Sequence, residues 1–500
     1  MLPLLTATQI RKADAFTIAN EPISSIDLME RASKAFVSWF VNHFPDKKSS
    51  ISVYCGTGNN GGDGLAIARL LNQHGYGQVG VKLVLFSDKQ SADFEVNLHS
   101  LQQLHIPVAS LGPNQVEPTE TSDILIDAIL GSGLNKPLSG SYQQLVNHLN
   151  SLHKTVVAVD APTGLYTDGD VEKDATVLKA DLVITFQQPK INFLLPESGN
   201  FMDCWETVNI GLNEEFIQSL QSAYQWVEEK DIKAIVKPRT RFSHKGTFGH
   251  VLLIAGQAKT MGAALLCSSA CVYAGAGLTT ACIPESGLTA LNSYQAEVMA
   301  IVRQSYEMPE LDLSQFSTVA IGPGLGKDED ALALLQYVLE EYEKPVVIDA
   351  DALNLLAAHP RLLTELPAGS IITPHMKEFD RLFGEHTSWW QRLQTLQQKA
   401  RELNICIVLK NAYTMVGCPD GKVYFNSTSN AAMAVGGMGD VLTGVITALL
   451  AQKYTPQQAC IAGVYLHGKA GDELALPNRL QVVLPGQVAA RIPATVAKLL

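Results

Sequence analysis

The chain has 500 residues, 46% of them hydrophobic and 17% charged, and a formal net charge of −12 at pH 7. One hydrophobic core does not serve that length, so two or more domains are expected. The composition suits α/β domains whose central strands are buried on both faces. The acidic balance excludes nucleic acid and anionic membranes as general partners. An anionic small ligand stays open, because amides at helix N-termini hold phosphate without net basic charge.

At the N-terminus, Thr6 followed by Gln9 predicts a helix start with a reciprocal cap. No basic start with a cleavable apolar stretch is present, and no run of about 18 apolar residues could span a bilayer. The cysteines, Cys55, Cys204, Cys267, Cys271, Cys282, Cys406, Cys418 and Cys460, form no C-x-x-C pair and no Cys/His cluster of zinc spacing. Cys267 and Cys271 lie in a small apolar helical run and read as packing residues. Scattered thiols fit a reducing compartment, and the expected location is the cytoplasm.

Short apolar runs then alternate with helical patterns along the whole chain. Strands are predicted at Ile51–Cys55, Val81–Phe86, Ile124–Asp127, Val156–Asp160 and Leu182–Phe186 in the first half. In the second half they fall at His250–Ala255, Leu278–Ile283, Thr318–Ile321, Pro345–Asp349, Ile371–Thr373 and Ile405–Leu409. Such alternation implies parallel sheets with helices on both faces. The polar stretch Gln221–Lys237 marks a boundary, giving domains over residues 1–228 and 229–500.

The first strand runs into Gly56-Thr-Gly-Asn-Asn-Gly-Gly-Asp-Gly64, with a helix expected to begin near Leu65. Gly56, Gly58 and Gly61 satisfy G-x-G-x-x-G, but the acid expected about twenty positions on in a dinucleotide fold is missing. No lysine follows the glycines, so this is not a P-loop. What distinguishes the turn is Asn59-Asn60 with Asp63. Two later strands end in acids: Asp127, followed by Gly131–Pro137, and Asp160, followed by Ala-Pro-Thr163-Gly. Ligands of open parallel sheets sit beyond the carboxyl ends of strands, where these segments converge. A carboxylate with amide and hydroxyl oxygens suits a hard cation. Taken singly, Asp127 or Asp160 reads as a helix cap; three glycine-bearing acidic turns in one sheet favour a site.

These motifs resemble the NAD(P)H-hydrate epimerase family over roughly residues 1–225, which implies a Rossmann-like three-layer sandwich. The resemblance implies that Asn59, Asn60, Gly61, Gly62 and Asp63 bind a hydrated dinucleotide, together with Gly131, Ser132, Gly133, Leu134, Asn135, Lys136 and Pro137. It further implies that Asn60, Asp127 and Thr163 hold potassium, and that Asp160 meets the nicotinamide end as the acid/base. Thr57 stands where the family often has proline.

In the second half, Gly436, Gly437 and Gly439 precede the apolar helical run Val441 to Leu450, and Asp440 stands at its start. Free amides there can hold a phosphoryl anion, and the carboxylate can take a proton from a hydroxyl. A bare glycine-rich turn with a capping aspartate would read the same way. Other segments decide between the two: His244–Gly249 (HKGTFG), Met261–Ala264, Gly322-Pro-Gly-Leu-Gly326, Thr373–Glu378 (TPHMKE) and Lys410-Asn-Ala-Tyr-Thr414. Together they resemble the ribokinase-like fold, another three-layer sandwich, in its ADP/ATP-dependent NAD(P)H-hydrate dehydratase branch, over about residues 235–500. That resemblance implies a nucleotide on Lys410, Asn411, Ala412, Tyr413, Thr414 and Gly439. It implies the hydrated substrate on Ala263, Gly324, His375 and Asp440, with Mg²⁺ beside ADP or ATP. Ser429, Asn411 and Met438 depart from the family's usual residues.

Hydroxide is a poor leaving group, and phosphorylating the ring hydroxyl makes a good one, so a phosphate-binding fold with a base at that hydroxyl suits dehydration. The expected activity is therefore epimerisation of the hydrated dinucleotides and ADP- or ATP-dependent dehydration of the S epimer. The rival enzyme is a small-molecule kinase for a vitamin precursor or sugar; the rival without catalysis treats the first half as a binding module. A symmetric homo-oligomer is the expected assembly.

Overall fold

The central strands form where every residue finds apolar cover: all of Ile51–Cys55 is buried, as is all of Ile124–Ala128. The computed structural model describes residues 1–304, 309 and 311–500. They divide into two compact units, one of Pro3–Ser222 with Ser388–Trp390, the other of Met1–Leu2, Ala223–Thr387 and Gln391–Leu500.

A short strand, Leu2–Leu4 (β1), opens the chain. The first unit's sheet comprises Ile51–Cys55 (β2), Val79–Val84 (β3), Val108–Leu111 (β4), Ile124–Ala128 (β5), Thr155–Val159 (β6), Ala180–Phe186 (β7) and Met202–Val208 (β8). Their order is β4-β3-β2-β5-β6-β7-β8, parallel throughout. Alternate residues feed two cores: Val53 and Cys55 join Leu65 and Phe94 on one face, while Tyr54 joins Leu145 and Ala158 on the other. The order reverses between β2 and β5, which opens a crevice at their carboxyl ends. Thr6 caps the helix Ala7–Asn20 in a reciprocal box with Gln9.

The second unit's sheet comprises Tyr224–Val227 (β9), His250–Ile254 (β10), Leu278–Pro284 (β11), Met299–Arg303 (β12), Thr318–Ile321 (β13), Val346–Ile348 (β14), Ile371–Ile372 (β15), Cys406–Leu409 (β16), Met415–Gly417 (β17) and Val423–Asn426 (β18). The order runs β9-β18-β17-β16-β15-β14-β13-β10-β11-β12. It is parallel except where β17 pairs antiparallel with β16 and with β18. The reversal here lies between β10 and β13.

Three expectations need correction. The helix after β2 begins at Asn59, not near Leu65, so the asparagines and Asp63 stand in its first turns. Helical glycines are tolerated there because the backbone packs too closely for side chains: a Cβ on Gly61 would lie 1.7 Å from the Gly56 carbonyl oxygen. The helix after the second glycine run begins at Met438, three residues before Val441. Its cap Gly437 has φ +93°, the left-handed region that glycine occupies without strain. The polar stretch Gln221–Lys237 is no simple linker either, since it holds β9 and the helix Glu229–Ile235. Among the described residues all cysteines are free, and every one but Cys204 is buried. No helix among them is long and apolar enough to cross a membrane.

Candidate functional site

In the first unit the chain ends of β2, β5, β6 and β7 stand side by side and surround a cavity of about 680 Å³. Asn59, Asn60 and Asp63 line it from one side, Gly131 to Asn135 from another, and Asp160 from the floor. Gly61 and Gly62 are packed beneath it, while Lys136 and Pro137 point to solvent; none of these four lines the cavity.

Asp160 follows β6 with φ +64°, a conformation aspartate tolerates better than most residues. Its Oδ1 accepts from Phe186 N at 3.1 Å and Thr185 Oγ1 at 3.2 Å, and pairs with Lys190 Nζ at 2.9 Å. Burial alone would raise its pKa, but the Lys190 ammonium and these hydrogen bonds overcome that and hold it below the ordinary carboxylate range. Two neighbours go the other way. Burial, opposed by Lys190 and helped by Asp160, lifts Asp14 to about 6, and burial with the surrounding carboxylates lifts Asp63 well above its usual value. The pocket thus sets one carboxylate held ionised by Lys190 beside two, Asp14 and Asp63, that bind their protons more tightly than usual. Sequence reasoning missed Asp14 and Lys190; the available signal for Lys190 was a lysine inside an apolar segment just after a strand.

Asp127 and Thr163 meet directly. The Thr163 hydroxyl donates to Asp127 Oδ1 at 2.6 Å and its amide to Oδ2 at 2.7 Å. The same hydroxyl accepts from Leu130 N at 3.0 Å, which links the pair to Gly131, against which the Asn60 side chain packs. Asp127 is only 1% exposed and has no cationic side chain within ion-pair reach among the described residues. Asn60 Nδ2 is buried without a partner.

In the second unit β10, β13, β14, β15 and β16 are consecutive neighbours, and each ends in a residue of interest. Asp349 closes β14 and is buried; its Oδ1 pairs with Lys410 Nζ at 3.0 Å, and its Oδ2 accepts from the Thr443 hydroxyl at 2.7 Å. Lys410 also passes close to Gly439, where a Cβ would lie 3.3 Å from Nζ. Asp440 stands in the first turn of the helix Met438–Ala451 and makes no hydrogen bond or ion pair among the described residues. Burial, reinforced by Asp349 and weakened by Lys410, lifts its pKa to about 7.

Asp351 accepts from Gly326 N at 2.9 Å, tying down the Gly322–Gly326 turn. Between the two acids, Ala350 is held at φ +53° and ψ −117°. Ala263 lies beside Gly324, whose carbonyl accepts from the Thr260 hydroxyl at 2.7 Å. His375 caps the helix Met376–Phe383, its Nδ1 accepting from Lys377 N and Glu378 N at 3.1 and 3.2 Å. Burial and Lys410 hold its pKa below the usual imidazole range, so the ring is neutral with its proton on Nε2. Both polar atoms of the Asn411 amide are buried without partners, and Tyr413 packs against Trp226 with ring centroids 5.9 Å apart. A cavity of about 1000 Å³ beside the Gly322–Gly326 turn is lined by Gln257, Lys259, Arg303, Leu325 and Asp328; Asp440 does not line it. Asp349 escaped the sequence reading although an acid stands at the carboxyl end of β14, as at those of β5 and β6.

Comparison with known proteins decides what these two sites belong to. Residues 251–494 match the family described as NAD(P)H-hydrate dehydratase, and residues 25–192 match the YjeF-related protein N-terminus. A bifunctional NAD(P)H-hydrate repair enzyme of Moorella thermoacetica is 32% identical, covering 98% of this chain and 96% of its own. The chain belongs to the bifunctional NAD(P)H-hydrate repair enzymes. The repair enzyme of Escherichia coli is 34% identical over 94% of this chain and 89% of its own. An ADP/ATP-dependent NAD(P)H-hydrate dehydratase from Bacillus subtilis, solved with ATP/Mg²⁺, is 29% identical with a TM-score of 0.47; it covers 55% of this chain and 98% of that one. Within the repair-enzyme family the two sites divide naturally, the Asp160 pocket lying in the YjeF-related part and Asp440 in the dehydratase part.

Proposed function

We propose that the Asp160 pocket interconverts the two epimers of hydrated NADH and NADPH, and that the Asp440 site dehydrates the S epimer at the expense of ADP or ATP. If dehydration takes one epimer only, complete repair needs the other to be converted, and a chain with both activities supplies that.

The single observation that carries this reading is the opposite tuning of the two carboxylates. Asp160 is kept ionised by an ammonium 2.9 Å away, as a base at an uncharged hydroxyl requires. Asp440 is lifted to about 7, where a base releases the proton it has taken as readily as it takes it. In the dehydratase reading Asp440 takes the proton of the substrate hydroxyl as that oxygen attacks the terminal phosphoryl group of the nucleotide. The Gly436–Gly439 amides stabilise the moving phosphoryl charge. Phosphate then leaves with the former hydroxyl oxygen and the electron pair of the carbon–oxygen bond, pushed by the ring nitrogen's lone pair, and loss of a proton from the neighbouring ring carbon restores the double bond. Lys410 to Thr414 and Gly439 hold the nucleotide, a role supported by the unpartnered Asn411 amide. Ala263, Gly324 and His375 hold the hydrate. Mg²⁺ beside the nucleotide would neutralise charge on its phosphates.

In the epimerase pocket Asn59, Asn60 and Asp63 with Gly131 to Asn135 embrace the dinucleotide. Asn60, Asp127 and Thr163 fit potassium: the carboxylate is buried without a counter-charge, and reversing the orphaned Asn60 amide would present an oxygen. A bound K⁺ would supply that counter-charge and brace the Gly131 loop.

The test is recovery of reduced-nicotinamide absorbance from hydrated NADPH, with and without ADP. Asp440→Asn is expected to abolish ADP-dependent recovery while epimer interconversion continues; Asp160→Asn is expected to do the reverse, leaving the R epimer unrepaired. Retention of both activities in either variant refutes that residue's role.

A further inference from the structure

The epimerase pocket contains a buried lysine that substrate binding alone does not explain. Lys190 follows β7 and is 1% exposed. Its ammonium pairs with Asp160 Oδ1 at 2.9 Å and donates to the Phe186 carbonyl at 3.1 Å. An ammonium has three N–H groups, and among the described residues these two contacts are all it makes. The third N–H is therefore unpartnered in a side chain that lines the 680 Å³ cavity. A lysine kept only to hold the loop would be expected to satisfy every donor, because an unmade hydrogen bond on a buried charge is costly.

We infer that Lys190 is the catalytic acid of epimerisation, acting with Asp160 as base; this rests on the epimerase reading of the pocket. Water added across the ring double bond of a dihydronicotinamide leaves a hydroxyl on the carbon bonded to the ring nitrogen. Oxygen and nitrogen then share one carbon, and that carbon is inverted by opening and closing the ring. Asp160 takes the hydroxyl proton as the oxygen forms a carbonyl. The carbon–nitrogen bond breaks, its electron pair stays on nitrogen, and Lys190 delivers a proton there. The freed aldehyde rotates about its carbon–carbon bond. On closure the nitrogen attacks its other face, Lys190 regains the proton from nitrogen, and Asp160 returns its own to oxygen. Nothing is oxidised or reduced, and every atom is retained.

Two features of the geometry favour this division of labour. Proton carriers 2.9 Å apart match an oxygen that gives up a proton and a nitrogen that takes one, both on a single carbon. The ion pair also becomes a neutral pair during ring opening while the substrate stays neutral, so no unpaired charge is created in a buried pocket.

The experiment follows one epimer of hydrated NADH converting to the other, by chromatography, with the full chain and no ADP. Lys190→Arg keeps the positive charge but yields its proton poorly. Its kcat is expected to fall about 100-fold or more with KM changed less than about threefold. Lys190→Ala is expected to lose activity similarly and to regain it as methylammonium is added, but not with tetramethylammonium, which has no proton to give. An arginine variant with near-normal kcat, or equal rescue by both cations, would show that only the charge is needed and overturn the proposal. Should the alanine variant fail to fold, the arginine variant decides alone. Full epimerisation by Asp160→Asn would overturn the underlying reading of the pocket instead.

Discussion

The sharpest consequence of the dehydratase site is its dependence on pH. In the proposed role as base Asp440 must be unprotonated, and its pKa of about 7 then places the acid limb of the rate profile unusually high for a carboxylate. The rate at limiting substrate should be about half-maximal near pH 7, about a tenth at pH 6 and about a hundredth at pH 5. An aspartate with an ordinary pKa would leave the profile flat across that range. The lift comes first from burial and then from Asp349, with Lys410 opposing. Asp349→Asn removes the second contribution and releases Lys410 from its partner at 3.0 Å. Both changes favour the ionised Asp440, so the acid limb should move to lower pH, each unit amounting to about 1.4 kcal/mol. The assay is kcat/KM for the S hydrate at saturating ADP between pH 5 and 9. Nucleotide phosphates titrate in the same range, but equally for both enzymes, so the displacement between the two profiles belongs to the protein. A limb that stays in place, or moves to higher pH in the variant, would refute the assigned electrostatics.

Three further outcomes are expected. A carboxyl whose pKa is raised in the fold is protonated there while already ionised in the unfolded chain, so it lowers stability as pH rises from about 4 to about 7. Asp440→Asn should therefore stabilise the second unit at pH 8, on the order of 2 to 4 kcal/mol, and by almost nothing at pH 4, as read by denaturant titration. Gly61→Ala would place its Cβ 1.7 Å from a backbone oxygen; epimerisation should be lost and the first unit destabilised by roughly 3 kcal/mol or more, by the same titration. Replacing potassium by tetramethylammonium should slow epimer interconversion and leave dehydration unchanged; equal rates in both salts would count against the Asn60–Asp127–Thr163 assignment.

Much of the fold was legible because buried parallel strands are continuous apolar runs, and those of β2, β5, β10 and β13 read almost to the residue. The strands that escaped are short or half exposed. Val108–Leu111 buries only its last residue, and Met202–Val208 is mostly in contact with solvent, so neither leaves a run to notice. Helix starts were placed late because glycines within NNGGDG and GGMGD argued for turns, while close packing holds those of NNGGDG in the helix and Gly437 forms the left-handed cap of the other. The acids at strand ends were visible one by one. Lys190 was not, since nothing local links it to Asp160, thirty positions earlier; only the adjacency of β6 and β7 brings them together. Asp349 was within reach of the rule that exposed Asp127 and Asp160, but its partners Lys410 and Thr443 come from elements far along the chain.

The dihedral angles of Ala350 suit glycine. A residue with a side chain held there stores on the order of 1 to 3 kcal/mol, and the two aspartates beside it answer to different partners, Lys410 on one side and the Gly326 amide on the other. Ala350→Gly would relieve the tension and also loosen the joint between the acids. A screen that selected for heat resistance alone would favour that change, and would collect a sturdier protein whose Asp440 no longer senses a fixed neighbour.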